Sequence, residues 1–466
     1  MTITVYDYLI IGSGAGGGPL AHYLTQAGKH VLMLEAGKAW QATAYPDNEL
    51  HANSELAWNG GMDPTADANT IMIRGKVLGG GTVLNQALLD RFDDEAWDAW
   101  ASLSGVDTFN SATMARHYNA VESECALHTI SADERNRNAE LYVQGFEKLG
   151  YGWAPLRRGQ ADCAGNDCIT CLAGCRRASK QSMVNTFLPT AQQQGLEIIT
   201  ECQVQGVVHG SQHVTVHALH QGERRIFYAR DCVLSAGAIG STEILLQSGY
   251  HHQLPALGKG FYCHPQSMTF ALYHEPVEAH KGSFQGVKSE EPRFRQQGFK
   301  LENVFAGPVG VGFLLPQIGV EHQQIMAQYR HLACIEVAVR DVTPGTISLN
   351  RQRKAVINKK LGRPERDRAQ AGLAVIKEVY AATGAARVLK SPINISVHLM
   401  GGCGQGVDYR TSVVNPEFSV HGLPRLHVVD GSLFPNAPGI NPSLTIMAMA
   451  HQAAEHLLNS NIGGAG

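Results

Sequence analysis

The chain lacks any apolar run of about 18 residues, so no segment is expected to cross a bilayer as a helix. Its opening residues, Met1-Thr-Ile-Thr-Val-Tyr-Asp7, have no basic stretch ahead of an apolar core, and a secretory leader is not expected. Charge is sparse: 17% of residues are charged, the net charge is −3, and no run of one sign occurs. That excludes a polybasic surface for nucleic acid or for a membrane. Internal repeats and low-complexity tracts are also missing. The expected location is cytoplasmic, where thiols stay reduced and a disulfide framework is disfavoured. No His-rich spacing accompanies the cysteines, which argues against a zinc-activated alcohol dehydrogenase.

What is present is size, apolar content and glycine. With 466 residues and 44% apolar content, the chain can form two or three domains, or one large α/β domain with an inserted lobe. Its 50 glycines follow no collagen-like period and are expected in tight turns and close approaches to a ligand. Val5 to Ile11 reads as a short buried strand running into Gly12-Ser-Gly14-Ala-Gly16-Gly17-Gly18. A helix over Pro19 to Ala27 and a second strand, His30 to Leu34, complete a β–turn–α–β unit that ends on Glu35. In Gly12-x-Gly14-x-x-Gly17 the first glycine allows the tight turn and the second lets backbone approach a pyrophosphate. The third lets helix and strand close up. Glu35 is placed to accept from a ribose diol, which argues against a 2′-phosphate. The glycines alone leave FAD and NAD both open.

Beyond residue 90 the pattern is mixed. Residues 93–125 and 132–150 read as helices, 196–234 as short alternating strands, and 266–350 as an antiparallel sheet. Residues 366–383 form one amphipathic helix, and Ser443 to Leu458 another after an Asn-Pro start.

The stretch from Gly75 to Asn85 (GKVLGGGTVLN) resembles the first signature of the glucose–methanol–choline (GMC) family of flavin oxidoreductases, with Leu89 standing where an aromatic or Ala is usual. Gly237 to Gly249 resembles the second, departing at Thr242 and Tyr250. Val204–Val207 resembles the family strand that meets the adenine, and Gly260 to Pro265 its turn into the substrate lobe. Near the C-terminus, Val429-Asp430-Gly431-Ser432 and Gly439-Ile440-Asn441-Pro442-Ser443 resemble the family's last motifs. These matches run in family order along essentially the whole chain. The resemblance implies an α/β fold: a Rossmann-like FAD-binding domain, discontinuous over 1–160, 180–262 and 395–466, plus an antiparallel-sheet substrate domain over 263–394, with a cysteine-rich insertion at 161–179. It implies FAD held by Gly12, Ser13, Gly14, Ala15, Gly17, Glu35, Ala36, Arg74, Gly79, Gly80, Gly81, Thr82, Asn85, Leu88, Val204, Ala236, Gly237, Asp430, Gly431, Asn441, Pro442 and Ser443.

The implied reaction is oxidation of an alcohol, with hydride passing to the flavin. His398, in His-Leu-Met-Gly-Gly-Cys, is the base or hydrogen-bond partner of the substrate oxygen, and Asn441 orients the hydroxyl. Glu336 lies in an apolar strand and reads as a surface or edge carboxylate, with a second acid or base reaching the pocket as the less favoured alternative; His251, His252, His322 and His331 read as surface. Phe284, Phe305 and Phe313 sit among many Gln, His and Arg in the substrate lobe, without a Trp or Tyr stripe for sugar stacking. The electrons go to oxygen, a quinone or a redox partner. A dehydrogenase is favoured over an oxidase. A non-redox flavoprotein of the same fold, a lyase or a light-driven decarboxylase, is the alternative. An NAD enzyme would need a nicotinamide domain for which the 75–85 and 430–445 motifs leave no room.

Four cysteines, Cys163, Cys168, Cys171 and Cys175, fall within thirteen residues. Their spacing is too compact for a structural zinc site and close to ferredoxin runs. The resemblance splits: some family members carry an iron–sulfur cluster here. Others carry cysteines without metal, in a Cys-x-x-Gly-Cys…Lys-x-Ser segment like that of Cys171 to Ser182. An iron–sulfur cluster and bare thiols both stay open.

Overall fold

The computed structural model describes residues 4–163 and 171–460. Its nucleotide-side sheet runs 419–420, 423–428, 223–234, 5–11, 31–34, 197–199. The strand Val5–Ile11 lies parallel to both Val31–Leu34 and Glu223–Leu234, as a right-handed crossover through helix Gly17–Gln26 requires. Both central strands are buried along most of their length, which explains their continuous apolar runs. The antiparallel strands Cys202–His209 and Val214–His220 branch from this sheet. The last helix, Ser443–Ser460, packs between helices Gly17–Gln26 and Ser111–Ser123.

A second large sheet forms a roof. Its order is 63–64, 70–72, 387–396, 266–272, 332–339, 299–303, 287–289, 153–155, and its neighbours are antiparallel except for 70–72 against 387–396. Three of these strands, at 63–64, 70–72 and 153–155, come from segments that the sequence assigned to the FAD-binding domain. Helix Arg137–Leu149 also packs into the roof's core through Tyr142 and Phe146. The substrate unit is therefore more discontinuous than a single 263–394 block, because sheet pairing recruits short strands whose pattern is too brief to register.

Period-2 alternation decides what the roof does. In strand Leu332–Val339, Val337 turns outward against Gly372 of helix Arg363–Ala382. Cys334 and Glu336 turn inward, onto the same face as Gln266, Met268 and Phe270 of the neighbouring strand. The register places Glu336 opposite Glu302 and Glu302 opposite Lys288, so one polar row crosses three strands and ends against Met268 on the fourth.

Candidate functional site

Between floor sheet and roof lies a cavity of about 670 Å³, within the range of small-molecule and cofactor sites. Its floor is backbone. Gly12 has φ +100°, and a Cβ there would stand 2.4 Å from the Ser235 carbonyl oxygen. A Cβ on Gly17 would stand 2.0 Å from the Gly12 carbonyl oxygen, so only glycine lets the helix start this close to the strand. The turn is braced from beneath by Glu35. Its carboxylate accepts from Ser13 N–H (3.1 Å), Ser13 Oγ–H (2.6 Å) and Gly37 N–H (2.8 Å), and Ser13 Oγ in turn accepts from Gly79 N–H at 2.8 Å. Burial pushes the Glu35 carboxyl up, against these bonds. With two lone pairs on each oxygen, the carboxylate retains acceptor capacity toward the cavity it lines.

Of the residues expected to hold a cofactor, twenty line this cavity: Gly12, Ser13, Gly14, Ala15, Glu35, Ala36, Arg74, Gly80, Gly81, Thr82, Asn85, Leu88, Val204, Ala236, Gly237, Asp430, Gly431, Asn441, Pro442 and Ser443. Gly17 and Gly79 do not; they shape the turn from behind, Gly17 by close packing and Gly79 through its bond to Ser13. Arg74 is engaged by Asp63 at 2.5 Å, with Trp58 beneath its guanidinium. Asp430 is buried and accepts from Gly237 N–H (2.9 Å) and Ser432 N–H (2.8 Å), locking the C-terminal strand end to the helix Gly237–Gln247. A Cβ at Gly14, Gly81 or Gly237 would meet nothing within 4 Å, so these glycines leave bare backbone. Bare backbone beside two helix starts is what a dinucleotide needs, and the residues present fit one.

At the seam of floor and roof stand His398 and Asn441. Gly439 N–H donates to His264 Nε2 at 2.8 Å. A backbone N–H cannot accept, so the single hydrogen of neutral His264 sits on Nδ1 and is donated to His398 Nδ1 at 3.1 Å. His398 then carries its hydrogen on Nε2. Burial, and then the Lys300 ammonium, press the His398 pKa down to about 3, and His264 is also pushed well below the ordinary value, chiefly by burial. Lys300 orients the amide beside it: its Nζ donates to Asn441 Oδ1 at 2.5 Å, leaving Nδ2 turned toward His398 Nε2, 3.5 Å away. Two donors therefore converge, His398 Nε2–H and Asn441 Nδ2–H.

Sequence reasoning did not find Lys300, Glu302, Gln266 or Gln285, and it took Glu336 for a surface or edge carboxylate. Glu336 is instead 2% exposed at the centre of the roof and lines the cavity. Burial and the neighbouring Glu302 raise it to about 8. Burial works against the Lys300 ammonium, but Glu302 and Asp90 outweigh it and hold its pKa up. A polar residue at every second position of an apolar strand, as in Lys300-x-Glu302, was the available signal. Phe305 and Phe313 line the cavity, Phe284 lies in the roof core, and His251 and His252 are exposed.

Cys168 lies outside the described residues. Among the described residues, Cys163, Cys171 and Cys175 are not joined to one another by a disulfide and form no group of metal-ligand geometry. Residues 171–180 dock on the glycine-rich floor. Buried Lys180 Nζ donates to the carbonyls of Cys171 (2.6 Å) and Asn85 (2.9 Å), and Arg158 lies against Cys171 Sγ at 3.7 Å. The one ligand-type group among the described residues is His117, His451 and Glu455. There the two Nδ1 atoms already share a hydrogen bond at 2.8 Å, and Arg116 neutralises Glu455.

A glycine-lined dinucleotide floor, an antiparallel roof and a His–Asn pair at their seam define a nucleotide-dependent oxidoreductase. Family models of the GMC oxidoreductases match residues 53–266 and 342–450, together more than half of the chain, and the protein belongs to that family. The GMC-type oxidoreductase y4nJ of Sinorhizobium fredii is 28% identical over 97% of this chain and 94% of its own. Long-chain-alcohol oxidase FAO4B of Arabidopsis thaliana is 25% identical over 97% of this chain and 67% of its own. Among solved structures, pyridoxine 4-oxidase from Mesorbium loti superposes with a TM-score of 0.76 at 16% identity, covering 97% of this chain and 99% of its own. No described helix is long and apolar enough to cross a membrane.

Proposed function

We propose that the protein oxidises an alcohol to a carbonyl compound with FAD as hydride acceptor. FAD would lie along the floor with its diphosphate at the Gly12–Gly17 turn and its adenosine toward Glu35 and Val204. The start of helix Ser443–Ser460, beside Asn441 and Pro442, would face its isoalloxazine. When bound, the flavin supplies the two-electron oxidant that no side chain provides.

The observation that carries the reading is the pair of converging donors, His398 Nε2–H and Asn441 Nδ2–H. Together they bind the substrate oxygen and stabilise the negative charge it carries once its hydroxyl proton has passed to solvent, a charge that falls away as the carbon gives up hydride. With its Nε2 already protonated, resting His398 acts as the oxygen's donor. His264 fixes that tautomer, and Lys300 fixes the Asn441 amide. As for reoxidation, the relatives whose names specify an activity include alcohol oxidases, so oxygen is the acceptor we favour.

The test is anaerobic addition of alcohols to the purified flavoprotein. At least one alcohol should bleach the flavin absorbance, and air should restore it. Failure of every alcohol to bleach it would favour a non-redox flavoprotein. His398→Ala should slow bleaching by about 10²–10³-fold, the cost of losing one such donor, while His398→Gln, which keeps a donor, recovers part of that rate.

A further inference from the structure

The reading above leaves the polar row across the roof unused. It lies in the same cavity, and its chemistry is one-sided. Gln266 Nε2 donates to Glu336 Oε1 at 3.1 Å, Gln285 Nε2 donates to Glu302 Oε2 at 2.6 Å, and Lys300 Nζ lies 2.6 Å from Glu302 Oε1. Each of these donors has one hydrogen engaged within the row. Acceptors remain: Gln285 is 1% exposed, and its Oε1 has no hydrogen-bond partner among the described residues. A buried acceptor left dry is costly, and two carboxyl groups set side by side in a low-dielectric wall are costlier still. Folds hold such groups where a ligand completes them.

We infer that this row is a second recognition site, in which Gln285, Glu302 and Glu336 accept hydrogen bonds from a donor group carried by the alcohol substrate away from its reacting carbon. The donor is a hydroxyl or a protonated amine. The inference deepens the proposed alcohol oxidation and rests on it. It separates this protein from an enzyme for plain hydrocarbon alcohols. Met268, Phe270, Val304 and Phe305 offer the same cavity an apolar wall, but a purely hydrocarbon tail beside them would leave the acceptors unmatched. The preference is built by strand register: Glu302 and Glu336 are directly paired across adjacent strands, and Gln285 enters from the loop before 287–289.

The experiment compares three matched series on the FAD-loaded enzyme: linear 1-alkanols, α,ω-diols and α,ω-amino alcohols of four to eight carbons. One donor-bearing series should exceed its alkanols in kcat/KM by about tenfold or more, the scale of one net hydrogen bond. Which series wins identifies the donor. In Glu336→Gln and Gln285→Leu that ratio should collapse toward one. Equal use of all three series by the wild type, or a ratio unchanged in both variants, overturns the inference. Binding is also read without turnover: an alkyl diol or alkylamine series should raise the melting temperature of the wild type and not of the variants. If no alcohol bleaches the flavin, the oxidase reading fails by itself. The thermal shifts then decide the subsite, and their absence for both ligand types overturns it.

Discussion

The floor and the roof of the cavity solve different problems with different materials. The floor holds its ligand with backbone: Gly12, Gly14, Gly80, Gly81 and Gly237 bring peptide groups up to a trough, and the side chains beneath them, Glu35 and Asp430, brace turns. The roof holds its ligand with side chains projected from every second position of paired strands. Backbone can approach a ligand only where side chains are absent, so the floor is written in contiguous glycine-rich segments. Side-chain recognition depends on which residues register opposite one another, and that is spread over residues 266 to 336.

The largest break in this comparison comes from the floor. Gly17→Val would drive a side chain into the Gly12 carbonyl, where even a Cβ stands 2.0 Å away, with the Ile10 side chain 3.2 Å off as the next neighbour. Flavin content of the purified protein should fall below about a tenth of wild type, with a lowered melting temperature, as expected when backbone at a strand–helix turn must shift. A roof substitution of similar size, such as Val304→Ile, should leave flavin content intact and alter only the choice of substrate. Flavin loss from both would show that the two halves are not separable.

The same division explains what could be read from the sequence. The β–turn–α–β unit and the last helix each lie in a segment whose spacing carries its own geometry, and both form there; His398 and Asn441, singled out by the family resemblance, line the cavity together. Glu336 was misjudged because an acidic residue in CIEVAV looks the same whether its strand is an edge or a centre. Only the pairing of 332–339 with both 266–272 and 299–303 makes it central. Lys300 was missed because nothing local ties it to Asn441, 141 residues away. For the cysteines, spacing left a ligand set and bare thiols both open; among the described residues, Lys180 ties the Cys171 carbonyl to the glycine-rich floor.

Lys300 is where the halves meet, touching Asn441 on one side and Glu302 on the other, which makes Lys300→Met the sharper test. Losing the donor that orients the Asn441 amide should cost about tenfold in kcat, the scale of one charge-assisted hydrogen bond. The pH profile separates positioning from general destabilisation. In the wild type His398 stays neutral down to about 3, held there by burial and by the Lys300 charge. Removing that charge makes the imidazolium easier to form, so any acid limb in kcat should move up in pH while remaining below the ordinary histidine value. A variant that loses activity equally at every pH would mean that Lys300 acts only by filling space.

The smallest effect is on stability, and its sign differs between seam and roof. Burial depresses His398 to about 3 and His117 to about 4, whereas an unfolded histidine titrates near ~6.5. The unfolded chain therefore binds protons that the folded chain refuses. The stability these residues contribute is complete above ~6.5 and drains away as pH falls toward 4. Glu336 runs the other way: raised to about 8, it keeps a proton that an unfolded glutamate releases near ~4.3, so its contribution is complete at low pH and is lost as pH rises through 8. Melting temperature should thus peak near the ordinary histidine value and fall away from it on both sides, on the alkaline side as far as about 8, and Glu336→Gln should remove that alkaline fall while steepening the acid one. An alkaline decline that survives this substitution would place its source outside the roof, and the paired carboxyls would no longer be what distinguishes the roof from the floor.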